Sequence, residues 1–278
     1  MERTHGLAGR YNNELRDIAM RTNPRQLILC IFFILSAIPS FAAEALLQIG
    51  TRPGVSVPVY YIKRAAARAT VVLLTGGSGD IGLTYGFPLS SSFLVRSRDY
   101  FAASGFNVAI PDQPSDTDDL DFYFRSSPNH VQDLRQIVSY LKNDEDLPVW
   151  LVGSSRGTMS ATAAAIAFGN EELAGIVLTS SITDWRKKGA VPSQNLKAIR
   201  IPVLVVHHEL DACSICKPGN DSRIMGGLKN APVKKLVMVQ GGGPPSGKEC
   251  TSTHWHGFVG MEKEVVNLIA DWIKSPMN

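Results

Sequence analysis

The sequence predicts an α/β fold: a doubly wound, mostly parallel sheet of about seven or eight strands with helices on both faces. From residue 48 onward, short and continuously apolar segments alternate with segments that carry apolar residues at helical spacing. Continuous apolar character is typical of parallel strands that are covered on both faces. Because no internal repeat, low-complexity segment or long linker interrupts the pattern, we expect one domain over residues 43–278.

The individual elements follow from local composition. Strands are expected at 55–62, 70–74, 106–110, 149–152, 173–178, 203–206 and 235–239, and helices at 89–104, 130–141, from 157 to about 168, and at 259–273. Pro58 interrupts the first segment, which indicates an edge strand. The short stretch between residues 178 and 201 leaves no room for a large lid.

Residues 1–42 have the layout of a secretory signal peptide. Two arginines precede an apolar run at 27–37, and small residues follow it up to an expected cleavage after Ala42. The run is well short of the roughly 20 residues that span a bilayer. Met20 is an alternative start. We therefore expect a secreted or periplasmic protein with no stable membrane association after processing, and an uncleaved anchor is the alternative.

Composition excludes few classes of function. The chain has 278 residues and a net charge of +3, with 44% apolar and 19% charged residues, which is an ordinary globular balance. The basic residues are scattered, and no lysine or arginine run of the kind that follows a nucleic-acid backbone is present. We expect no nucleic-acid partner, and the oligomeric state is not predicted.

A nucleophile motif lies in the middle of the chain. Residues 153–157 read Gly-Ser-Ser-Arg-Gly and fit G-x-S-x-G, with an apolar strand before them and a helix-forming run after them. In this motif the serine occupies a sharp strand-to-helix turn, and small neighbours let the strand and helix pack closely. Ser155 is therefore the candidate nucleophile, and a plain strand–helix turn is the alternative.

A serine hydroxyl needs a base, and the base needs an acid that orients it. Asp211 follows the strand at 203–206 and is the preferred acid. Glu209 is the second choice, and Asp184 is the third. His256 precedes the closing helix and is the preferred base, ahead of His254. The order serine, acid, histidine is that of the nucleophile-elbow enzymes.

The negative charge that develops on a substrate carbonyl needs two N–H donors. The backbone N–H of Arg156, directly after the nucleophile, is the first predicted donor. The second is expected in the glycine-rich loop at 76–79, where Gly77 is the first choice and Ser78 the second.

These residues carry a resemblance to the α/β-hydrolase superfamily, and within it to small secreted hydrolases without a lid. The resemblance extends over nearly all of 48–275. It implies a sheet of eight strands, or of seven where one early strand is missing, and an exported serine hydrolase of carboxylesterase type. Such an enzyme acts on a small-molecule ester-like substrate through an acyl-serine intermediate, with no cofactor and no metal. Peptidase and lactonase activities remain open.

Two departures from the family pattern and one aromatic cluster bear on the substrate. Thr75 begins the oxyanion loop where many relatives have histidine, and Arg156 stands where many have a smaller or apolar residue. The arginine suggests a substrate with an acidic group. The aromatic residues at 121–124, together with Tyr85 and Phe87, are expected either to line an acyl pocket or to pack as ordinary loop residues.

Three cysteines follow the predicted leader: Cys213, Cys216 and Cys250. Cys213 lies two residues after Asp211, and Cys250 lies six before His256. If the acid and base loops meet, Cys213 and Cys250 come within bridging distance. A disulfide between Cys216 and Cys250 is the alternative, and a redox role for the C-x-x-C spacing is disfavoured by its late position in the chain.

Three other functions compete with this interpretation. The segment at 75–82 nearly matches the nucleotide loop of short-chain dehydrogenases, but no tyrosine has a lysine four residues later, as that class requires. A binding protein with an inactive triad is the second alternative. Metal binding by His207, His208, His254 and His256 is the third.

Overall fold

A computed structural model describes residues 43–277, so the predicted leader lies outside the described residues. In this part of the chain, none of the helices combines the length and the apolar character needed to span a bilayer.

An eight-stranded sheet forms the centre of the structure, and a two-stranded hairpin, β4 and β5, lies outside it. In chain order the strands are β1 (Ala43–Arg52), β2 (Val55–Lys63), β3 (Ala69–Leu74), β4 (Leu83–Thr84), β5 (Phe87–Pro88), β6 (Phe106–Pro111), β7 (Val149–Ser154), β8 (Gly175–Thr179), β9 (Val203–His208) and β10 (Lys234–Val239). The sheet order is β1-β2-β6-β3-β7-β8-β9-β10. β2 pairs antiparallel with both β1 and β6, and the remaining neighbours are parallel.

Within residues 43–277, six α-helices cover the two faces of the sheet. They are α1 (Phe93–Arg96), α2 (Arg98–Ala103), α3 (Pro128–Asp144), α4 (Gly157–Phe168), α5 (Asp221–Gly227) and α6 (Glu262–Lys274). Side chains of α3, α4 and α5 belong to the hydrophobic core on one face. Those of α1, α2 and α6 belong to the core on the other face.

The central strand β3 has a continuous apolar run at residues 71–74. Val72 and Leu74 point into the first core, whereas Val71 and Leu73 point into the second. Successive side chains of a strand point to opposite faces, and here both faces are dry, so every position favours an apolar residue. The predicted α/β class with a mostly parallel sheet is confirmed.

The prediction that residues 55–62 form an edge strand is wrong. β1 lies outside β2, and the sequence analysis missed it. Pro58 is tolerated inside the sheet because it lies beyond the end of β6. The pairing between β2 and β6 begins one residue later, with Val59 opposite Pro111. The Pro58 carbonyl still accepts a hydrogen bond from the N–H of Asp112, just past β6.

The prediction of one helix over 89–104 is also wrong. Two short helices, α1 and α2, replace it, and they meet at Ser97, whose backbone (φ −97°, ψ 0°) departs from regular helix. The Ser92 hydroxyl accepts a hydrogen bond from the N–H of Val95 and caps α1. Serine competes for local backbone hydrogen bonds and so favours caps and turns over helix interiors.

Candidate active site

Ser155 lies in the turn between β7 and α4. Its φ of +52° is in the left-handed region, which is rare for residues other than glycine. Its N–H donates to the carbonyl of Thr179 at the end of β8, and its carbonyl accepts from the N–H of Thr158. The turn therefore holds the serine in a strained conformation, as a nucleophile elbow does.

The two glycines of the motif are required by close packing. A Cβ atom added at Gly157 would lie 1.9 Å from the carbonyl oxygen of Leu74, and one added at Gly153 would lie 2.5 Å from the carbonyl oxygen of Gly157. Gly76 packs against the nucleophile itself, since its added Cβ would lie 2.8 Å from the Ser155 Cβ. Strand β7, helix α4 and the loop after β3 thus meet without room for a side chain.

Asp211 and His256 are hydrogen-bonded to each other. His256 Nδ1 is 2.8 Å from Asp211 Oδ2, and both residues are buried. Asp211 follows β9, where the N–H of Cys213 donates to its other carboxylate oxygen. The structure thus brings together the acid and the base that the sequence favoured.

The His256 loop is held by two polar contacts. The buried Ser180 hydroxyl donates to the His256 carbonyl over 2.8 Å. Arg96 donates to the carbonyl of the next residue, Gly257, and also bonds to Glu262 at the start of α6. These contacts fix the imidazole relative to β8 and α6.

A second histidine, which the sequence offered only as a candidate metal ligand, shares the Asp211 carboxylate. His207 Nε2 lies 3.0 Å from Asp211 Oδ2, and its Nδ1 lies 2.7 Å from the carboxylate of Asp221. Burial alone would lower the pKa of His207, but the hydrogen bonds to the two carboxylates outweigh it and raise that pKa to about 9. His207 is therefore protonated at neutral pH.

The charge of Asp211 is stabilised by its two histidine partners. Burial would raise the pKa of its carboxyl group, but the hydrogen bonds from His207 and His256 bring that pKa down to about 2. Asp211 is therefore ionised throughout the neutral range, as a residue that orients an imidazole must be. No sequence motif marks His207 and Asp221, because their pairing depends on how β9 and α5 pack.

Ser155 and His256 line the same cleft, although within residues 43–277 no hydrogen bond joins them. The Ser155 hydroxyl instead lies beside the thiol of Cys216. Burial raises the pKa of that thiol well above its usual value, and the charge of Asp211 raises it further. Cys216 is thus a neutral thiol. Catalytic hydrogen bonds are often long or poorly aligned before substrate binds.

The two predicted oxyanion donors have free N–H groups. Among the described residues, neither the backbone N–H of Gly77 nor that of Arg156 donates a hydrogen bond. Gly77 has a φ of +59°, which glycine adopts without strain. Ser78, the second choice, also lines the cleft.

Arg125 supports the oxyanion loop from below, and the sequence analysis missed it. Its guanidinium is buried and donates to the carbonyls of Gly76 and Gly77 over 3.4 and 3.2 Å, and to the hydroxyl of Ser160 over 3.1 Å. Burial, and then the charge of Arg156, lower the pKa of Arg125 to about 9. Because Arg125 holds the two carbonyls, the N–H of Gly77 is left free for the cleft.

The predictions about Arg156 and the aromatic cluster take a different form in the structure. The Arg156 side chain pairs with Asp119 over 3.3 Å and lies 5.2 Å from the centre of the Phe122 ring. It does not line the cleft that contains Ser155, and neither do the aromatic residues at 85, 87 and 121–124. Tyr85 is 98% exposed. The aromatic residues therefore do not form an acyl pocket in this cleft.

The weaker candidates lie apart from the Asp211–His256 pair. Glu209 is exposed and accepts a hydrogen bond from Gln240. Asp184 pairs with Arg186. His254 packs edge-on against Trp255 with ring centres 5.0 Å apart.

A disulfide joins Cys213 to Cys250. It links the loop that carries Asp211 to the loop that precedes His256. Cys216, the alternative partner, is a free thiol.

The geometry does not fit a metal site. Of the four histidines considered, His207 bonds to two carboxylates and His208 to the carbonyl of Gly241. Among the described residues, only Cys213, Cys216 and His256 bring potential ligand atoms together, within 4.8 Å of one another. The Cys213 sulfur is committed to the disulfide and has no thiolate to offer.

Comparison with known proteins gave results only at the level of three-dimensional structure. No protein-family model matches the sequence, and no curated protein matches it. A dienelactone hydrolase from Anabaena variabilis superposes with a TM-score of 0.60 at 17% identity, covering 85% of this chain and 99% of that one. An esterase from Pyrococcus furiosus has a TM-score of 0.61 at 13% identity and covers 85% and 92% of the two chains.

A third similar structure has no lid. It is an α/β serine hydrolase from Xanthomonas campestris, with a TM-score of 0.54 at 16% identity, covering 83% of this chain and 97% of that one. In the present chain, the stretch between β8 and β9 likewise contains only two single-turn 3₁₀ helices, Val191–Ser193 and Leu196–Ala198. The sheet order, the helices on both faces and these superpositions together show that the chain has the fold of the α/β-hydrolase superfamily.

Proposed function

We propose that the chain is a serine hydrolase that cleaves a carboxylic ester, with Ser155 as nucleophile, His256 as base and Asp211 as the residue that orients the base. The observation that supports this most strongly is the hydrogen bond between His256 Nδ1 and Asp211 in the cleft that also contains Ser155. The esterase and dienelactone hydrolase that share the fold support the same class of reaction.

The first half of the reaction forms an acyl-serine. Asp211 accepts a hydrogen bond from the Nδ1–H of His256, which keeps the proton of the neutral imidazole on Nδ1 and leaves Nε2 able to take the proton of the Ser155 hydroxyl. The serine oxygen attacks the ester carbonyl. The N–H groups of Gly77 and Arg156 bind the resulting oxyanion. His256 then returns its proton to the departing alcohol oxygen as the carbon–oxygen bond breaks.

The second half regenerates the enzyme. His256 takes a proton from water, and the resulting hydroxide attacks the acyl-serine. When the tetrahedral intermediate collapses, the proton passes to Ser155 and the carboxylic acid leaves. Every proton that His256 accepts is given back, so the cycle uses water as its only co-substrate.

Hydrolysis of p-nitrophenyl acetate by the purified protein tests this proposal. The Ser155→Ala variant is expected to lose turnover, with Ser275→Ala, which alters an exposed serine beyond α6, as the matched control. A Ser155→Ala variant with near-normal rates would refute the assignment. A folded wild-type protein without turnover on esters, thioesters, lactones or short peptides would favour a binding protein with an inactive triad.

We also propose that the protein is exported after cleavage behind Ala42, leaving 43–278 as the hydrolase domain. A disulfide that joins the acid and base loops supports this, because disulfides are usual in proteins of oxidising compartments. The intact mass of the protein from culture medium or periplasm is expected to match a chain that begins at Ala43. A product that retains the apolar run would favour the anchor.

A further inference from the structure

The cleft beside Ser155 is lined mainly by hydroxyl groups. It has a volume of about 370 Å³. Ser90, Ser91 and Ser92, here called the serine wall, lie directly before α1, and Thr251 and Ser252 lie in the loop before His256. A hydrogen bond of 3.0 Å between the hydroxyls of Ser91 and Ser252 joins these two segments, and both residues are exposed or part-exposed. Small-molecule sites are more often lined by apolar and aromatic side chains, so this polar lining is informative.

The serine wall is fixed in place before any substrate binds. The N–H of Ser90 donates to the carbonyl of Ile81 over 3.0 Å. Arg96 donates to the Ser91 carbonyl over 2.7 Å and, with another nitrogen, to the Gly257 carbonyl. One guanidinium thus ties the serine wall to the loop that carries His256. Hydroxyl groups held in this way bind a ligand at a smaller entropic cost than mobile ones.

The position of the hydroxyl groups identifies the part of the substrate that they contact. In ester cleavage His256 must reach the oxygen of the departing alcohol in order to protonate it. Thr251 and Ser252 belong to the same loop as His256, and Ser91 contacts Ser252. The alcohol portion of the substrate, rather than the acyl portion, therefore occupies the hydroxyl-lined part of the cleft.

The charge of the cleft restricts that alcohol further. Asp80 is exposed at the rim, where its carboxylate accepts a hydrogen bond from the N–H of Gly82 over 2.6 Å. Among the described residues that line the cleft, none is a lysine or arginine, and no salt bridge neutralises Asp80. An anionic alcohol would be repelled. Phe93 is the one large apolar side chain among the described residues that line the cleft, and because it is only 2% exposed it offers an aliphatic chain little surface.

We infer that the enzyme acts on acyl esters of a neutral polyhydroxy alcohol, such as a polyol or a sugar. This inference rests on the proposed function. The hydroxyls of Ser91, Ser252 and their neighbours donate to and accept from the hydroxyls of the alcohol, and Asp80 accepts from a further one. The preference for an acidic substrate that the sequence suggested through Arg156 is replaced, because that charge pairs with Asp119 outside the cleft.

The test compares two esters with the same acyl group and the same carbon skeleton. Glycerol 1-monoacetate and n-propyl acetate differ by two hydroxyl groups. The rate of acetate release gives kcat/KM for each ester. Each value is divided by the rate of alkaline hydrolysis of the same ester, which removes the difference in leaving-group acidity. Two hydrogen bonds of ordinary net strength predict a preference of about tenfold or more for the glycerol ester. Equal rates, or faster cleavage of propyl acetate, would overturn the inference.

Two variants locate the preference in the cleft. Replacing Ser91 and Ser252 together by alanine is expected to reduce the preference for the glycerol ester severalfold, whereas Ser275→Ala, a surface change beyond α6, keeps it. A preference that survives the double replacement would contradict the assigned wall. Asp80→Asn removes the negative charge at the rim of the cleft. It is therefore expected to raise kcat/KM for O-acetyl-lactate, an ester of an anionic alcohol.

The two levels of proposal fail in distinguishable ways. If Ser155 reacts with a fluorophosphonate and propyl acetate is cleaved at least as fast as the glycerol ester, the substrate inference is wrong and the serine hydrolase stands. If Ser155 is unreactive and neither ester is cleaved, the proposed function is wrong as well.

Discussion

Replacing Gly157 by alanine tests whether close packing at the elbow is what positions Ser155. The added Cβ would lie 1.9 Å from the Leu74 carbonyl oxygen, with further backbone atoms at 2.7 and 2.9 Å. Contacts of a real Cβ essentially never fall below 3.0 Å. All three obstacles are backbone atoms of the end of β3 and the loop behind it, so no side chain can rotate away. Helix α4 and β3 must therefore separate.

The size of the effect follows from that overlap. Forcing extra atoms into a packed site lowers the free energy of unfolding by about 1–3 kcal/mol. Because the obstacle at Gly157 consists of backbone atoms, we expect the loss for Gly157→Ala to lie at or above the upper end of that range. A loss of about 3 kcal/mol lowers the Tm of a domain of this size by roughly 6–12 °C. Displacement of α4 also moves Ser155 and the Arg156 N–H, and a misplacement of about 1 Å can cost a hundredfold in rate.

Differential scanning calorimetry and the rate of p-nitrophenyl acetate hydrolysis measure both consequences. Gly226→Ala in α5 is the matched control, because its added Cβ meets nothing within 4 Å. Alanine is the better helix former, so this control should be neutral or stabilising by up to about 1 kcal/mol. A Gly157→Ala protein with the wild-type Tm and rate would refute the packing argument.

Four further predictions concern residues around the site. Asp211→Asn should lower kcat roughly a thousandfold or more, because the amide no longer selects the productive His256 tautomer; a loss below tenfold at unchanged circular dichroism would contradict this. Folding raises the pKa of His207 from about 6.5 to about 9. Protonated His207 therefore adds on the order of 3 kcal/mol to the free energy of unfolding. This contribution is complete below about pH 6.5 and disappears as the pH rises through about 9. Urea titrations at pH 7 and pH 10 should therefore show a larger loss of unfolding free energy for the wild type than for His207→Gln, and equal losses would exclude the ion pair. Cys250→Ser opens a bridge that spans 37 residues and should cost about 4 kcal/mol, measured as Tm under oxidising conditions; full stability together with full activity would show that the bridge is dispensable. Arg125→Met should lower kcat by about a hundredfold with little change in KM, because the loop N–H acts in the transition state; a rise in KM alone would contradict the positioning role.

Much of the fold is encoded locally and could be predicted from the sequence. Strands covered on both faces are mostly apolar, so the runs at 71–74 in β3, 149–152 in β7 and 203–206 in β9 stand out. The elbow at Ser155 is recognisable because its glycines are dictated by backbone approach within a few residues. The closing helix α6 was predicted within a few residues of its observed start and end.

Other features depend on contacts between distant segments. β1 was missed because it is an edge strand, partly exposed, with only a weak alternation of apolar residues. The break between α1 and α2 depends on the backbone conformation at one serine. Pro58 misled the edge assignment because the length of the neighbouring strand β6 cannot be predicted from the residues around the proline.

The polar supports of the site were also beyond local reasoning. Arg125 lies within an aromatic stretch, and only the fold places its guanidinium under the carbonyls of Gly76 and Gly77. His207 shares the Asp211 carboxylate with His256 although 49 residues separate the two histidines. In each case the chemistry arises from tertiary packing, which leaves no spacing in the sequence.

Labelling with a fluorophosphonate tests the central claim most directly, because this reagent reacts with an activated serine whatever the natural substrate is. The purified protein would be labelled, its intact mass measured, and the modified peptide mapped. One adduct on Ser155, lost in His256→Ala, is the predicted result. A folded protein that acquires no adduct, or an adduct on Ser155 that persists without His256, would contradict the proposed catalytic assembly.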